Sequence, residues 1–282
     1  MIDEQLAARV EAAVRAVVAA EVVPRWRRLA RHEVSAKSGP HDLVTVADRA
    51  AEERLAEELP ALLPGSVVVG EEAVHADPSR YDALAGDAPV WIVDPVDGTR
   101  QFVRGETGFC TLVALAHRGE LLASWTYAPA RGGPGGTVAH ARRGAGAWVN
   151  GVPLKAGSPE PGAVTEVACS HPDYTTPEQK RALSGLWSAP GFAPRACGAA
   201  GLEYLAVASG ELGGLAFSWE HSWDHAAGLL LVAEAGGAHL TLTGESFRLA
   251  GGNALPFAVG RDPDTARRIL GVLIAGRPGA AA

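Results

Sequence analysis

Lysine is nearly missing from this 282-residue chain, which holds only Lys37, Lys155 and Lys180. Acids outnumber bases for a formal charge of −7, and no concentrated basic run offsets them. A nucleic-acid or anionic-membrane surface needs a basic face, so neither partner is expected. Cysteine is scarce as well. Cys110, Cys169 and Cys197 are odd in number, widely spaced and without C-x-x-C spacing, which argues against a disulfide framework or zinc knuckle and for reduced thiols in a cytoplasmic protein. No uncharged stretch reaches membrane-spanning length, the most apolar run being residues 226–233. The opening Met1-Ile2-Asp3-Glu4-Gln5 is acidic and leads into an amphipathic pattern, unlike an export signal.

The length is enough for a large core, arranged as one two-lobed unit or as two domains. Residues 3–33 and 46–63 place alanine, leucine and valine at helical spacing, with Glu11, Arg15, Glu53 and Glu57 on the other positions, predicting two leading helices. Pro24 predicts a kink or break in the first, and Pro60 and Pro64 the end of the second. Apolar runs then predict strands at 66–70 and 90–94, a hairpin of 111–117 and 121–127 around Arg118-Gly119-Glu120, and a strand at 137–141. The segment Arg131-Gly132-Gly133-Pro134-Gly135-Gly136 lacks the Lys-Ser/Thr ending of a phosphate loop and precedes no helical pattern, so it reads as a connection. Past Lys155, strands near 163–170 and 212–218 alternate with helices near 177–187, 199–210, 222–235 and 263–275. This grammar predicts a second α/β lobe with a boundary near 157–162, and a frayed tail from Gly276. By pattern alone the fold is α/β or α+β.

The chemistry concentrates at strand ends. Val90-Trp91-Ile92-Val93 runs into Asp94-Pro95-Val96-Asp97-Gly98-Thr99; Pro95 lacks an N–H and so predicts that the strand stops at Asp94, while Gly98 permits a tight turn. Two carboxylates brought to one point either share a proton or are neutralised by divalent cations. A helix starting at Gly98 and Thr99 would add backbone N–H groups fit for a phosphate. An ordinary Asp-Pro corner with a helix cap explains this segment equally well. Glu71-Glu72 follow a second apolar strand, and alone they read as an acidic helix start. Asp224 heads the apolar helix after His221-Ser222-Trp223, where an N-cap role is the plain alternative. His221 and His225 are four apart, as zinc ligands often are, but the other elements offer hard oxygen donors.

The order and form of these segments resemble the inositol monophosphatase family, magnesium-dependent, lithium-sensitive phosphatases that share a fold with fructose-1,6-bisphosphatase. The resemblance rests on Asp42-Leu43-Val44-Thr45 with Asp48, on Gly70-Glu71-Glu72, on the 94–99 turn with Phe102, and on Trp223-Asp224 with Glu234-Ala235-Gly236-Gly237. It implies a layered α-β-α-β-α sandwich and a homodimer. It also implies one phosphatase unit in which residues 1–156 carry most metal ligands and residues 157–282 carry Asp224 and the substrate-side residues. Glu71, Asp94 and the Val96 carbonyl fall on ligands of a first magnesium, and Asp94, Asp97 and Asp224 on those of a second. Glu72 falls on a position that helps a third, weaker metal through water, and manganese is an expected substitute. Asp48 and Thr99, with Glu71, fall on the catalytic positions that orient the attacking water. Lys37 matches a basic position near them. Gly98 and Thr99 fall on the phosphate seat, with Asp97 and Asp224 also on the substrate side.

The expected activity is hydrolysis of a small metabolite phosphate, inositol monophosphate-like. Where the family carries a hydroxyl-binding glutamate seven residues before Asp224, this chain has Phe217, the nearest acid being Glu220. Phe217 and Glu220 are therefore the candidate substrate-specificity residues, and histidinol-phosphate, 3′(2′),5′-bisphosphate nucleotide or fructose-1,6-bisphosphate substrates stay open. A regulatory protein of transcription complexes that keeps the fold without turnover is the reading from another class.

Overall fold

The computed structural model describes residues 2–276 apart from 38, 40 and 41, so the tail expected to fray falls almost wholly outside the described residues. Asp3 caps the first helix by accepting the Leu6 N–H, and α1 (Glu4–Val17) buries Ala7, Val10, Val14 and Val17 along one stripe. The helix is shorter than the 3–33 pattern suggests. Ahead of Pro24 it loosens into a π turn over Val18–Val22 and ends in a 3-10 turn, Val23–Arg25, because the proline ring does not fit the regular ladder. A small antiparallel pair, β1 (Val34–Ala36) and β2 (Leu43–Thr45), leads into α2 (Val46–Leu62). Thr45 and Asp48 form the capping box of α2. Pro60 does not stop this helix, which runs on to Leu62; in the last turn one missing N–H is tolerated.

The remaining elements follow in order: β3 (Val67–Gly70), α3 (Glu71–Ala76), β4 (Val90–Asp97), α4 (Thr99–Val103), β5 (Cys110–His117), β6 (Glu120–Ala128), β7 (Thr137–Arg142), β8 (Gly146–Val149) and β9 (Val152–Pro153). Then come β10 (Thr165–Cys169), α5 (Pro177–Ser188), β11 (Phe192–Ala196), α6 (Ala200–Ala208), β12 (Gly214–Phe217), α7 (Ser222–Glu234), β13 (Ala238–Leu240), β14 (Phe257–Gly260) and α8 (Pro263–Ala275). Strands β3 to β9 form one seven-stranded sheet in sequence order, parallel only at β3/β4. A five-stranded sheet is ordered β11-β10-β12-β14-β13. The expected hairpin is β5/β6, turning through Arg118 and Gly119 at positive φ. The glycine-rich 131–136 segment joins β6 to β7 as a connection. Seven strands absent from the sequence reading, β1, β2, β8, β9, β11, β13 and β14, hold only two to five residues each.

Alternation along the strands explains the layering. On one face of the large sheet, Trp91, Val93, Val113, Leu115 and Trp125 pack against α1 and α2. The opposite face, through Ile92, Leu112 and Ala114, meets Leu202 of α6 and Ala226 and Ala227 of α7. The far side of those two helices meets Leu215, Phe217, Phe257 and Val259 of the second sheet. Leu183 and Leu186 of α5 and Ile269 and Leu273 of α8 cover its outer face. The result is the layered α-β-α-β-α sandwich. Helix α7 lies between two sheets, which is why its sequence is apolar nearly all round. No helix among the described residues is long and apolar enough to cross a membrane.

Candidate active site

The turn after Val93 is a bulge inside a strand. Contrary to the expected end at Asp94, β4 continues through Pro95 to Asp97. Proline is tolerated because β3 ends at Gly70, opposite Val93, so nothing needs its missing N–H on that side. Toward β5 the register slips between Asp94 and Asp97. Thr111 Oγ1 donates to the Pro95 carbonyl at 2.7 Å, and the Val96 N–H donates to Asp94 Oδ1 at 3.0 Å. Gly98 then turns at φ +86°, where an added Cβ would lie 2.7 Å from the Gly108 carbonyl oxygen. Thr99 opens α4, its Oγ1 2.9 Å from the Val96 carbonyl oxygen and 3.3 Å from Asp48 Oδ1.

Asp224 meets this turn from the opposite layer. It lies in the first turn of α7 without acting as the cap, and Trp219 Nε1 donates to its Oδ2 at 2.6 Å. Asp94, Asp97 and Asp224 each offer a carboxylate oxygen within 4.8 Å of the others. Asp97 is held by the N–H groups of Ala200 (3.1 Å) and Gly201 (2.6 Å) at the start of α6, and by the Cys110 thiol. Glu71 begins α3, and the buried Lys37 ammonium bridges it to Glu72 at 2.7 and 2.6 Å.

One supporting residue escaped the sequence reading. Glu52 accepts the N–H groups of Glu72 (2.8 Å) and Ala73 (2.7 Å) and so fixes the first turn of α3 that presents Glu71. Its signal was available: it lies one helical turn after Asp48 on the face carrying Ala47, Ala51 and Leu55.

Electrostatics follows from crowding acids in a dry interior. Burial lifts Asp224 to about 7, with Glu71 adding to the rise. Burial and then Asp224 lift Asp97 to about 7 against its amide donors. Asp94 goes well above the carboxylate range through burial and the charges of Glu71, Asp97 and Asp224. Burial likewise lifts Asp48 to about 7 against the hydrogen bonds from Thr45, with Glu71 and Glu72 adding to the rise. Glu72 is raised by burial and by Glu71. Lys37 gains its proton affinity from Glu71 and Glu72 in spite of burial. An all-oxygen set that otherwise has to hold protons fits a hard divalent cation such as magnesium or manganese.

The histidine pair offers no zinc site. His225 is fully buried with Nδ1 3.1 Å from Tyr204 Oη and Nε2 3.0 Å from the Trp219 carbonyl oxygen, and burial lowers it to about 3, so both nitrogens are engaged on the neutral ring.

A cavity of about 770 Å³ opens over the acids. Its wall includes Lys37, Glu71, Asp94, Val96, Asp97, Gly98, Thr99 and Asp224. Asp48 is fully buried behind Thr99, and Glu72 faces an adjoining groove. Phe217 does not reach the wall: it is fully buried against Tyr204, Trp219, His225 and Phe257. Glu220 is also absent from the wall and accepts the backbone and side-chain N–H groups of Asn253. Trp219, two residues past Phe217, lines the cavity instead.

Gly201 permits the approach of α6 to Asp97. An added Cβ would lie 2.4 Å from Leu112 Cδ2 and 3.2 Å from Asp97 Oδ2. Gly201→Ala is expected to lower stability by about 1–3 kcal/mol, as overpacking does, and to weaken cation binding by shifting the amides off Asp97. Urea unfolding and a cation titration followed by melting temperature read both effects; a variant with unchanged cation affinity would contradict this role for α6.

A model of the inositol monophosphatase family matches residues 2–270. The chain is 30% identical over 241 residues to the Bacillus subtilis inositol-1-monophosphatase, covering 80% of this chain and 86% of that protein. It is 35% identical over 210 residues to the Rhizobium meliloti inositol-1-monophosphatase, covering 73% and 74%. Among solved structures, the Thermotoga maritima IMPase superposes with a TM-score of 0.77 at 24% identity, covering 97% of this chain and 98% of that one.

Proposed function

The chain belongs to the inositol monophosphatase family, and from that membership and the buried acid cluster we propose that it is a magnesium-dependent phosphomonoesterase of small metabolite phosphates. The observation that carries this reading is the convergence of Asp94 and Asp97, from a bulged strand, with Asp224, from a helix of another layer, in the wall of one cavity. Three carboxylates that close, two of them buried and one half-buried, serve no packing purpose.

Asp94, Asp97, Asp224, Glu71 and the Val96 carbonyl are the groups that would hold the cations. Bound there, magnesium supplies positive charge for the phosphoryl oxygens and lowers the pKa of water. The chain's own residues do the rest. The Gly98 and Thr99 N–H groups at the bulge offer a seat for the phosphate, which an acidic protein needs locally. Thr99 Oγ1, held between the Val96 carbonyl and Asp48, is the acceptor for the attacking water's proton, passing its own to Asp48 Oδ1. Burial, the main cause that raises Asp48, makes it a better proton acceptor than an exposed carboxylate. Trp219 and the amides of Ala200 and Gly201 fix the directions in which Asp224 and Asp97 point.

The test is release of inorganic phosphate from a panel of small phosphomonoesters. Activity is expected to drop at least tenfold with a chelator and to return on addition of magnesium. A chain that releases no phosphate with magnesium present, yet recovers transcription proteins in a pull-down, would support the regulatory reading instead.

A further inference from the structure

The cavity is roomy, and part of its wall is aromatic. At about 770 Å³ it lies within the range of sites that enclose drug-sized ligands, about 300–1,000 Å³. From residue 157 onward, the described residues that line it are His171, Cys197, Gly198, Ala200, Trp219, His221, Trp223 and Asp224. That wall holds no hydroxyl or carboxamide side chain, and its one carboxylate is committed to the acid cluster. The rest of the lining, Gln101 and Arg104 among it, offers polar partners, but a polyol brought against Trp219 or Trp223 would exchange water for π faces there.

The same wall is built to receive a flat ring. Trp219 is fixed in orientation by its hydrogen bond to Asp224, and its indole is backed by Phe217 at 4.4 Å and His225 at 5.1 Å between centroids. The His221 imidazole stacks on Trp223, centroids 4.8 Å apart and planes 20° from parallel. His221 keeps 60% of its side-chain surface exposed, so the stack ends on an open imidazole at the cavity. Trp223 in turn rests edge-on against Tyr81 at 5.9 Å, and the Tyr81 hydroxyl is tied to Ser222. These rings are held in place before any ligand arrives, so little ordering is needed on binding.

Taking the phosphatase reading as premise, we propose that the alcohol carried by the substrate's phosphate bears a planar heteroaromatic ring, an imidazole or purine, seated against Trp219 and His221. Stacking of such rings tolerates varied chemistry but rewards flatness. The burial of Phe217, where the resemblance implies a hydroxyl-binding carboxylate, removes the polar group that would favour a cyclitol.

The experiment compares kcat/KM of the magnesium-loaded protein on two ring-bearing esters, histidinol phosphate and adenosine 3′-monophosphate, with two polyol esters, myo-inositol 1-phosphate and glycerol 2-phosphate. At least one ring ester is expected to exceed both polyol esters by tenfold or more. His221→Ala is expected to shrink that ratio severalfold, mainly through KM on the ring ester. As a check independent of variant folding, the dephosphorylated ring alcohol should inhibit competitively at concentrations where myo-inositol does not. Equal or better turnover of the polyol esters, or an unchanged ratio in the folded His221→Ala protein, would overturn the ring assignment while leaving the phosphatase reading intact. Absence of turnover on all four esters would instead remove the phosphatase reading on which the assignment rests.

Discussion

Asp94→Asn is expected to lower phosphate release by about a thousandfold while raising the melting temperature of the cation-free protein. The substitution is nearly isosteric, and the asparagine Oδ1 still accepts the Val96 N–H that shapes the bulge, so the strand keeps its path. What changes is charge. Asp94 is the most crowded acid in the cluster, facing Glu71, Asp97 and Asp224 in a dry interior. Without a cation, Asp94 folds only by keeping a proton that the unfolded chain would release or by carrying a charge among other acids, and a neutral amide removes that cost, hence the gain in stability. With cations present the same change takes away the carboxylate shared by both proposed sites. Lewis-acid stabilisation of a phosphoryl transfer is worth several kcal/mol, and about 4 kcal/mol corresponds to a thousandfold in rate. The two readouts separate mechanism from folding. A variant that melts higher without cation, gains nothing from magnesium and releases almost no phosphate fits the proposed role. Full activity, or a lower melting temperature without cation, would refute it.

Much of this site was legible because its chemistry is local in sequence. Asp94, Val96, Asp97, Gly98 and Thr99 lie within six consecutive residues, and Glu71 directly follows a strand, so their convergence needed only the two strands to be neighbours, as β3 and β4 are. The α/β class was legible in the alternation of strand and helix patterns, but the order of the layers came only with the family resemblance; α7, apolar nearly all round, fits its place between the two sheets. Other features depended on distant partners. Whether Pro95 ends a strand is decided by where β3 stops, and that is not written in residues 90–97. Phe217 looked like a candidate at the cavity lip because alternation along β12 does not say which face meets the ligand; two layers of aromatic rings enclose it. Asp224 could have capped its helix, but the chain enters α7 so that Asp224 falls within the first turn and turns toward Asp94. The short strands β9 and β11 end or contain prolines that sequence rules count against strands, and only sheet-edge positions make them acceptable.

Stability without cation is expected to fall as pH rises from about 6.5 to 8, and magnesium is expected to stabilise the protein more at pH 8 than at pH 5.5. Burial raises Asp48, Glu52, Asp97 and Asp224 to about 7, and Asp94 further, above the values they have in an unfolded chain. For a raised carboxylate the folded state holds more protons than the unfolded one between those limits. The stability it contributes is therefore complete below about pH 4 and lost as pH rises through about 7. His225, lowered to about 3, and His239, lowered to about 4, act with the opposite sign: they remove stability as pH falls below about 6.5. Between pH 4 and 6.5 the two trends oppose each other, and above it only the carboxylates remain. For Asp97, raised from 3.8 to about 7, most of the loss falls between those two values, and the half-unit left above pH 6.5 corresponds to on the order of 1 kcal/mol at about 1.4 kcal/mol per unit. At about 2–4 °C per kcal/mol for chains of this general size, the several carboxylates raised together bring the loss within reach of a melting curve. A bound divalent cation keeps the same acids ionised without repulsion, and it competes with protons for them, so its stabilising effect grows with pH. Thermal melts in chelator and in magnesium at pH 5.5, 6.5 and 8 read the difference directly. A chelated protein that gains stability between pH 6.5 and 8, or a magnesium-induced rise that is no larger at pH 8 than at pH 5.5, would show that these carboxylates are not the groups awaiting the cation.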